Sequence, residues 1–242
     1  MSKPKEQPLE TWDQCLKAFV RSVEALAGRH DSHTVFRDFC RAASLSMRGA
    51  TTVSRTAERA IEDEYAALAG KHGAATMGRF AEMLAIVVTA LGIRRADFLG
   101  GPVYEALGAT RSKDMGQILT PPHVARLMAK VCLDRPVVKD RIVTLYDCCA
   151  GAGVLLLEAA EEYIARGGRQ RDVYIAAEDL DPCACDIAFI QFTLLGYAAT
   201  VTWMNSLTRR VHGGPWHTIG FFLHGTCWRL PAQRRDEAAA TP

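Results

Sequence analysis

The 242-residue sequence lacks the features that mark several large protein classes. Its formal net charge is only +2 at pH 7, which argues neither for nor against a nucleic-acid partner. The first fifteen residues contain no apolar stretch of the signal-peptide kind. The longest nearly apolar run, Met83 to Ile93, is too short to span a bilayer. We therefore expect a soluble, cytoplasmic protein without a membrane segment.

The eight cysteines also lack the spacing of a metal site, since none of them form a C-x-x-C pair. Cys148 and Cys149 are adjacent, and Cys183 and Cys185 are two apart, which is poor spacing for a closed zinc site. The histidines show no ligand spacing either. We interpret the cysteines as reduced thiols that pack as small hydrophobic side chains, and we predict no bound metal.

What the sequence does contain is ample apolar material for a core, because 49% of its residues are hydrophobic. Its first hundred residues show helical spacing, with apolar residues at Leu16, Phe19 and Val23 in the first helical stretch. The helical stretches of this part end at glycines and carry no motif of their own. We predict a helical region over residues 1–110 and interpret it as a bundle that covers one side of the next domain, rather than as an independent binding module.

From Arg141 onward, short β-branched or apolar runs alternate with helical stretches. The runs are RIVTLYDC from Arg141, VYIAAED from Val173 and ATVTW from Ala199, and the helical stretches are residues 154–165 and 182–195. This alternation predicts an α/β fold with a parallel sheet and right-handed crossovers. We assign residues 111–230 to this domain and expect residues 231–242 to be a disordered tail.

The turn after the first run, D-C-C-A-G-A-G from Asp147, narrows the choice of ligand. A Walker loop needs a lysine and a hydroxyl after its last glycine, and neither is present. A dinucleotide fingerprint needs a third glycine where Leu156 stands. The remaining pattern suits a ligand with a cationic amine and no phosphate. Asp147 can accept from an ammonium group, while Gly151 and Gly153 let a nucleoside approach the backbone.

Two further acids follow the second run. An acid at the tip of the second strand is placed to accept hydrogen bonds from ribose hydroxyls, and we assign this role to Asp179. Asp181 precedes Pro182, which stands at an expected first helical position, so we predict that Asp181 caps that helix.

These segments resemble a known family. D-C-C-A-G-A-G is similar to D-P-x-C-G-[ST]-G, the methionine-binding motif of S-adenosylmethionine-dependent DNA methyltransferases. Upstream, DFLGGPVYEALG and KDMGQILTPPHVARLMAKV resemble the segment before that motif in N6-adenine DNA methylases, which include the modification subunits of type I restriction systems and short phage and plasmid relatives. Downstream, EDLDPCACDIAFIQFTLLGYAATVTWMNSL resembles the family's second and third motifs. The resemblance covers residues 97–207.

The resemblance implies a Rossmann-like S-adenosylmethionine-dependent methyltransferase sheet, S-adenosylmethionine as cofactor and double-stranded DNA as substrate. In the family, the T-P pair opens a helix that closes over the methionine end of the cofactor. Asn205 stands where the family has an aspartate that accepts from the adenine amino group, and an asparagine can accept through its carbonyl. The implied cofactor-binding residues are Thr120, Pro121, Asp147, Cys149, Ala150, Gly151, Gly153, Asp179, Leu180 and Asn205.

One family motif is missing, the [ND]-P-P-[YFW] tetrapeptide at the tip of the fourth strand. Its carbonyls accept both hydrogens of the adenine amine, and its aromatic residue stacks on the flipped base. The only Pro-Pro here, Pro121-Pro122, belongs to the earlier motif. The nearest counterpart, Gly213 to Trp216, lacks an acceptor side chain and follows TRRVH, a poor strand. We predict a loop at Gly213 to Trp216 and name no catalytic residue.

Few residues follow Asn205, so we also expect no target-recognition domain in this chain. Any sequence specificity would come from a partner, such as a specificity or restriction subunit. A basic edge facing phosphates and an ordinary solvated surface are equally good interpretations of Arg209, Arg210, His212, His217 and His224.

Three functional interpretations remain open. The first is a DNA adenine-N6 methyltransferase of a restriction–modification, phage or plasmid system, whose catalytic loop is diverged or supplied by a partner. The second is a non-catalytic, cofactor-binding relative that acts through DNA or a restriction–modification partner. The third, a small-molecule or RNA methyltransferase, shares the glycine turn but is disfavoured by the upstream GQILTPP segment.

Overall fold

A computed structural model describes residues 9–28, 31–108, 119–133, 137 and 141–230, except for the side chain of Trp228. The helices are α1 (Trp12–Ala27), α2 (Ser32–Gly49), α3 (Arg55–Ile93), α4 (Gly101–Ala106), α5 (Pro122–Cys132), α6 (Val154–Ala165), α7 (Pro182–Leu194), α8 (Ile219–Leu223) and α9 (Thr226–Arg229). The strands are β1 (Val143–Asp147), β2 (Val173–Asp179), β3 (Ala198–Asn205) and β4 (Arg210–His217), and a short 3-10 helix precedes β2 at Gln170–Asp172.

The first three helices begin at polar caps that the sequence supplies. Thr11 accepts from the backbone of Gln14 in a capping box, Asp31 accepts from the backbone of Thr34, and Ser54 caps α3. Gly73, at φ +76° and ψ 160°, breaks the helical backbone inside α3, so that two successive helical segments form one kinked element. The helical region predicted for this part of the chain is therefore present.

Helix α3 bears on the membrane question. Among the described residues it is the single helix long and apolar enough to cross a membrane, judged by length and composition alone. One such helix is weak evidence, because a helix that packs inside a soluble protein passes the same test. In this molecule Phe80, Met83 and Val87 are buried in the core shared with α1 and α2.

The sheet has the order β1-β2-β3-β4, and its first three strands are parallel. Val143 pairs with Val173, and Tyr174 pairs with Ala198. Helix α6 contacts β1, and α7 contacts β2 and β3. With the usual right-handed crossovers, this strand order puts both helices on one face of the sheet. The predicted α/β fold with a Rossmann-like parallel sheet and an N-terminal helical region is confirmed.

Strand β4 was not predicted, and the expected loop at Gly213 to Trp216 is wrong. Residues Arg210–His217 pair with β3 in the antiparallel direction, with Trp216 opposite Val201 and Arg210 opposite Asn205. The pairing is irregular, and the register shifts around Trp203. Two glycines and a proline make this a poor local strand, but an edge strand tolerates a proline, and its pairing with β3 outweighs local preference.

The helical region and the sheet share one hydrophobic core. A single cluster of buried side chains runs from Phe19 and Phe39 in the helices to Ile175 in β2 and Phe189 in α7. Helix α2 packs directly on α7, as expected for a bundle that covers one side of the sheet domain. The domain division near residue 110 remains a prediction, and the predicted tail at 231–242 lies outside the described residues.

Candidate functional site

The glycine turn begins where β1 ends and closes into α6. Gly151 has φ +55° and Gly153 has φ +88°, both in the left-handed region that favours glycine. The turn is held by the Ala150 N–H, which donates to the Glu178 carbonyl at 2.9 Å, and by the Gly153 N–H, which donates to the Ala150 carbonyl at 2.8 Å. A side chain at Gly151 would meet no atom within 4 Å, so the backbone there faces open space.

Asp147 lies at the carboxyl end of β1, directly before the glycine turn. Its Oδ1 accepts from the Cys149 N–H at 2.9 Å. An ionised carboxylate has a second oxygen and further lone pairs, so Asp147 can also accept from a cationic amine. Cys149 is exposed, whereas Ala150 is buried beneath the turn.

Asp179 lies at the carboxyl end of β2 and is bonded to the glycine turn. Its Oδ2 accepts from the Gly151 N–H at 2.7 Å, and its Oδ1 accepts from the Asp181 N–H at 2.8 Å. Burial raises the pKa of the Asp179 carboxyl, and the two backbone hydrogen bonds oppose that rise. This hydrogen bond from Gly151 places Asp179 next to the glycine turn, with which it was predicted to bind one ligand.

The residues that follow Asp179 differ in exposure. Leu180 is 51% exposed, and its carbonyl accepts from Trp203 Nε1 at 2.9 Å. Asp181 is the N-cap of α7, and its side chain accepts from the Cys183 N–H at 3.0 Å, as predicted. Leu180 is thus an apolar side chain held at the carboxyl edge of the sheet, where it is free to pack on a ligand.

Asn205 ends β3 at the same edge, but its carbonyl is occupied. Oδ1 accepts from the Leu207 N–H at 3.1 Å and from the Thr208 N–H at 3.0 Å. The two lone pairs of the amide oxygen are therefore both used. In this conformation the side chain offers a ligand its Nδ2 donor, and the acceptor role predicted for Asn205 would require the turn after it to open.

Thr120 and Pro121 directly precede α5, and Pro121 is the N-cap of that helix. Arg126 of α5 pairs with Glu158 of α6 at 3.0 Å, and Arg166, just past α6, donates to the Lys130 carbonyl. The first contact joins the N-terminal halves of the two helices, and the second joins their C-terminal ends. Helices α5 and α6 therefore run in the same direction. The start of α5 therefore lies at the same end of the molecule as the glycine turn.

The sequence did not reveal a buried hydrogen-bond network behind the turn, formed by Asp97 and Gln191. Asp97, fully buried, accepts from the backbone of Gly100 at 2.8 Å and from Gln191 Nε2 at 3.0 Å. Gln191 Nε2 also donates to the Ala152 carbonyl at 3.1 Å, and its Oε1 accepts from the backbone of Phe98. Burial raises the pKa of the Asp97 carboxyl against these hydrogen bonds. The signal in the sequence was a polar residue, Gln191, between Ile190 and Phe192 in a largely apolar helix.

The five basic residues considered for a phosphate-facing edge differ in their contacts. Arg209 pairs with Glu178 at 3.1 Å, His217 shares a hydrogen bond with Thr200 at 2.9 Å, and His224 is bonded to the Gly196 carbonyl at 3.0 Å. Arg210 and His212 are exposed. Within the described ranges there is also no group of three or more metal-ligating side chains.

The chain is similar to known proteins in sequence and in structure. The family model described as N-6 DNA Methylase matches residues 95–218. Among solved structures, the chain is similar to the type I restriction-modification system methyltransferase subunit of Streptococcus thermophilus, at 18% identity and a TM-score of 0.46, over 82% of this chain and 59% of that one. This chain thus spans about 59% of that subunit's length.

A second solved structure is similar at 11% identity and a TM-score of 0.45, over 90% of this chain and 71% of the other. It is described as a class I S-adenosylmethionine-dependent methyltransferase from Listeria monocytogenes. No protein among the curated sequences matches the chain.

Proposed function

Since the chain belongs to the N-6 DNA methylase family, we propose that it binds S-adenosylmethionine at the glycine turn and acts on double-stranded DNA. The observation that carries the proposal is the hydrogen bond from the Gly151 N–H to Asp179. It joins the turn that follows Asp147 to the acid of the neighbouring strand. The amine-binding and ribose-binding groups thereby belong to one site at the carboxyl ends of parallel strands, where ligands of open α/β sheets bind.

Each group of this site has a distinct role in the proposal. Asp147 accepts from the methionine ammonium, while Gly151 and Gly153 allow close approach to the backbone. Thr120 and Pro121 cover the methionine end from the start of α5. Cys149 and Ala150 complete the turn beneath the ligand.

The nucleoside end is held by the second and third strands. Asp179 accepts from the ribose hydroxyls, for which its carboxylate has lone pairs left beyond the two backbone bonds. Leu180 packs on the adenine ring. Asn205 meets the adenine edge with its Nδ2 donor, or with its carbonyl once the following turn opens. When bound, the cofactor would supply the methyl group for transfer.

Cofactor binding is tested by calorimetry with S-adenosylmethionine and its demethylated product, S-adenosylhomocysteine. Asp147→Ala removes a hydrogen bond to a charged group and should weaken binding by roughly 1.5–3 kcal/mol. Asp63→Ala makes the same chemical change on the exposed side of α3 and should leave binding unchanged. Failure of both ligands to bind the wild-type protein would remove the basis of the proposal.

Turnover by the isolated chain should be slow or undetectable. Trp216, the aromatic residue of the nearest counterpart to the missing tetrapeptide, pairs with Val201, four residues before the end of β3. That separation is about 13 Å along the strand, at roughly 3.3 Å per residue. The Trp216 ring instead packs against the Arg48 guanidinium, 3.2 Å from the ring centroid. Gly213 carries no acceptor side chain.

The loss of a preorganised acceptor typically costs about 10²–10³ in rate. We therefore propose two alternatives within the family. Either a partner, such as a specificity or restriction subunit, completes the catalytic site in the cytoplasm, or the chain is a non-catalytic relative that acts through DNA or such a partner. The position of Trp216, far from the strand tips, favours both over a working Gly213–Trp216 loop.

Single-turnover methylation of unmethylated duplex DNA with labelled cofactor distinguishes the partner-completed enzyme from the non-catalytic relative. We expect little transfer by the wild-type chain alone, and transfer restored by a partner subunit would identify the first alternative. Fast transfer by the wild-type chain that collapses in Trp216→Ala would contradict the proposal, because it would make that residue part of a working catalytic loop. No transfer with any partner, despite intact cofactor binding, supports the non-catalytic alternative.

A further inference from the structure

A cavity of about 710 Å³ lies away from the candidate cofactor site, at the β4 edge of the sheet. Its first wall is formed by α2, the segment that follows it and the start of α3, including Ala57 and Ala60. Its opposite wall is formed by β4 and α8, including Trp216 and Phe222. A volume of roughly 300–1,000 Å³ is typical of sites for small organic ligands. None of the residues assigned to the cofactor lines it.

Among the residues that line this cavity, Arg48 gives the clearest indication of a ligand. Its side chain is 2% exposed, and one of its terminal nitrogens is paired with Asp186 of α7. Its Nε, however, is buried and has no hydrogen-bond partner in the part of the chain that the structure describes. A buried donor without a partner costs about 1–3 kcal/mol. Nε itself is not exposed to the cavity that Arg48 lines, so an acceptor atom of a ligand relieves this cost only when the side chains that cover Nε shift.

The neighbouring charges leave Arg48 positive. Arg41 binds Glu64 through two hydrogen bonds of 2.6 Å and also reaches Asp186 at 3.2 Å. Asp186 is thus shared between two guanidinium groups. Burial lowers the pKa of Arg48 to about 10, so the side chain remains protonated at neutral pH.

The rest of the cavity favours a flat apolar molecule. The Trp216 ring lies against the Arg48 guanidinium, and the His217 ring stacks on Phe221 with centroids 4.3 Å apart and an interplanar angle of 17°. Phe222 is 37% exposed beside them. Aromatic faces of this kind pack well on a planar ring system.

We propose that this cavity is a second ligand site, for a planar aromatic molecule that carries a carboxylate. The ring system packs against Trp216 and Phe222, and a carboxylate oxygen accepts from Arg48 Nε once the side chains that cover Nε shift. The site is independent of the glycine turn, so it holds whether or not the chain binds S-adenosylmethionine.

The probe for this proposal is naphthalene-2-carboxylate, titrated calorimetrically into the full chain, with naphthalene-2-carboxamide as its uncharged counterpart. We expect saturable binding at one site and at least a tenfold preference for the carboxylate, since a tenfold change in affinity corresponds to about 1.4 kcal/mol. S-adenosylhomocysteine should not compete. The absence of saturable binding by the carboxylate, or competition with S-adenosylhomocysteine, would overturn the proposal.

Ala60→Trp blocks the cavity from its exposed rim without altering a buried side chain. We expect it to weaken naphthalene-2-carboxylate binding at least tenfold. Ala66→Trp, on an exposed position of α3 that does not line the cavity, is the matched control and should bind like wild type. Equal binding by Ala60→Trp and wild type would place the ligand elsewhere and refute the site.

Arg48→Met keeps an unbranched side chain as far as the position of Nε, and it removes the Nε donor together with the charged guanidinium group. We expect this variant to lose the preference for the carboxylate while retaining weak binding of both probes through the aromatic wall. Asp186 keeps Arg41 as its partner, which limits the effect on folding. A carboxylate preference that survives in folded Arg48→Met, verified by circular dichroism, would refute the role of Arg48.

Discussion

Substituting alanine at Gly151 and at Gly153 should have different consequences, because the first mainly weakens binding and the second mainly lowers stability. Both residues have positive φ, +55° at Gly151 and +88° at Gly153, so alanine is strained at either position. The left-handed conformation costs an L-residue about 1–2 kcal/mol, offset by about 0.4–1 kcal/mol because alanine restricts the unfolded chain. Strain alone therefore predicts a loss of roughly 0–1.6 kcal/mol at each glycine.

The surroundings of the two glycines separate them. A Cβ at Gly153 would lie 2.6 Å from Cζ of Phe192, a fully buried ring that cannot move aside. Overpacking of this kind adds about 1–3 kcal/mol, so Gly153→Ala should lose roughly 1–4.6 kcal/mol of unfolding free energy. A Cβ at Gly151 meets no atom within 4 Å. Gly151→Ala should keep most of its stability and place a methyl group where we propose that the cofactor lies.

Urea denaturation followed by circular dichroism measures the first effect, and calorimetry with S-adenosylhomocysteine measures the second. We expect Gly151→Ala to bind at least tenfold more weakly than wild type, which is about 1.4 kcal/mol. Gly225→Ala is the control, because Gly225 has φ +66° and open space around it but lies between α8 and α9. It should match the stability loss of Gly151→Ala without any loss of binding.

Two outcomes would refute this reasoning. If Gly151→Ala bound S-adenosylhomocysteine with wild-type affinity, the open space above the turn would not be the cofactor site. If Gly153→Ala were no less stable than Gly225→Ala, the contact with Phe192 would not limit the size of the side chain at that position.

Three further predictions concern the buried polar groups. Asp186→Ala leaves Arg48 buried without its carboxylate and should cost about 3–5 kcal/mol of unfolding free energy in urea, and a loss below 1 kcal/mol would contradict the buried pairing. Gln191→Ala leaves the backbone N–H of Phe98 buried without an acceptor and should cost at least about 1–3 kcal/mol of unfolding free energy. A variant as stable in urea as wild type would show that the hydrogen-bond network of Asp97 and Gln191 contributes little. Burial raises the pKa of Asp97 above its ordinary value of 3.8, so its contribution to stability is present below that value and is lost as pH rises through the raised pKa. The difference in unfolding free energy between wild type and Asp97→Asn should therefore fall as pH rises above 4, and a difference that grows with pH would contradict the raised pKa.

Local sequence was sufficient for the three parallel strands and the turn. Strand–helix alternation, the positive-φ glycines and the proline after Asp181 are signals within a few residues of where they act, and the structure has β1, β2, β3 and the Asp181 cap where they were predicted. The placement of Asp147 and Asp179 at neighbouring strand tips follows too, because consecutive parallel strands end at the same edge of a sheet.

What the sequence left undecided depends on contacts between distant residues. Asp97 and Gln191 are 94 positions apart, and Arg48 and Asp186 are 138 positions apart. No local pattern marks either pair. The same holds for β4, whose glycines and proline favour a loop until pairing with β3 imposes an extended conformation. Burial decides these cases, because a buried polar group must find its partner wherever the fold brings one within hydrogen-bonding distance.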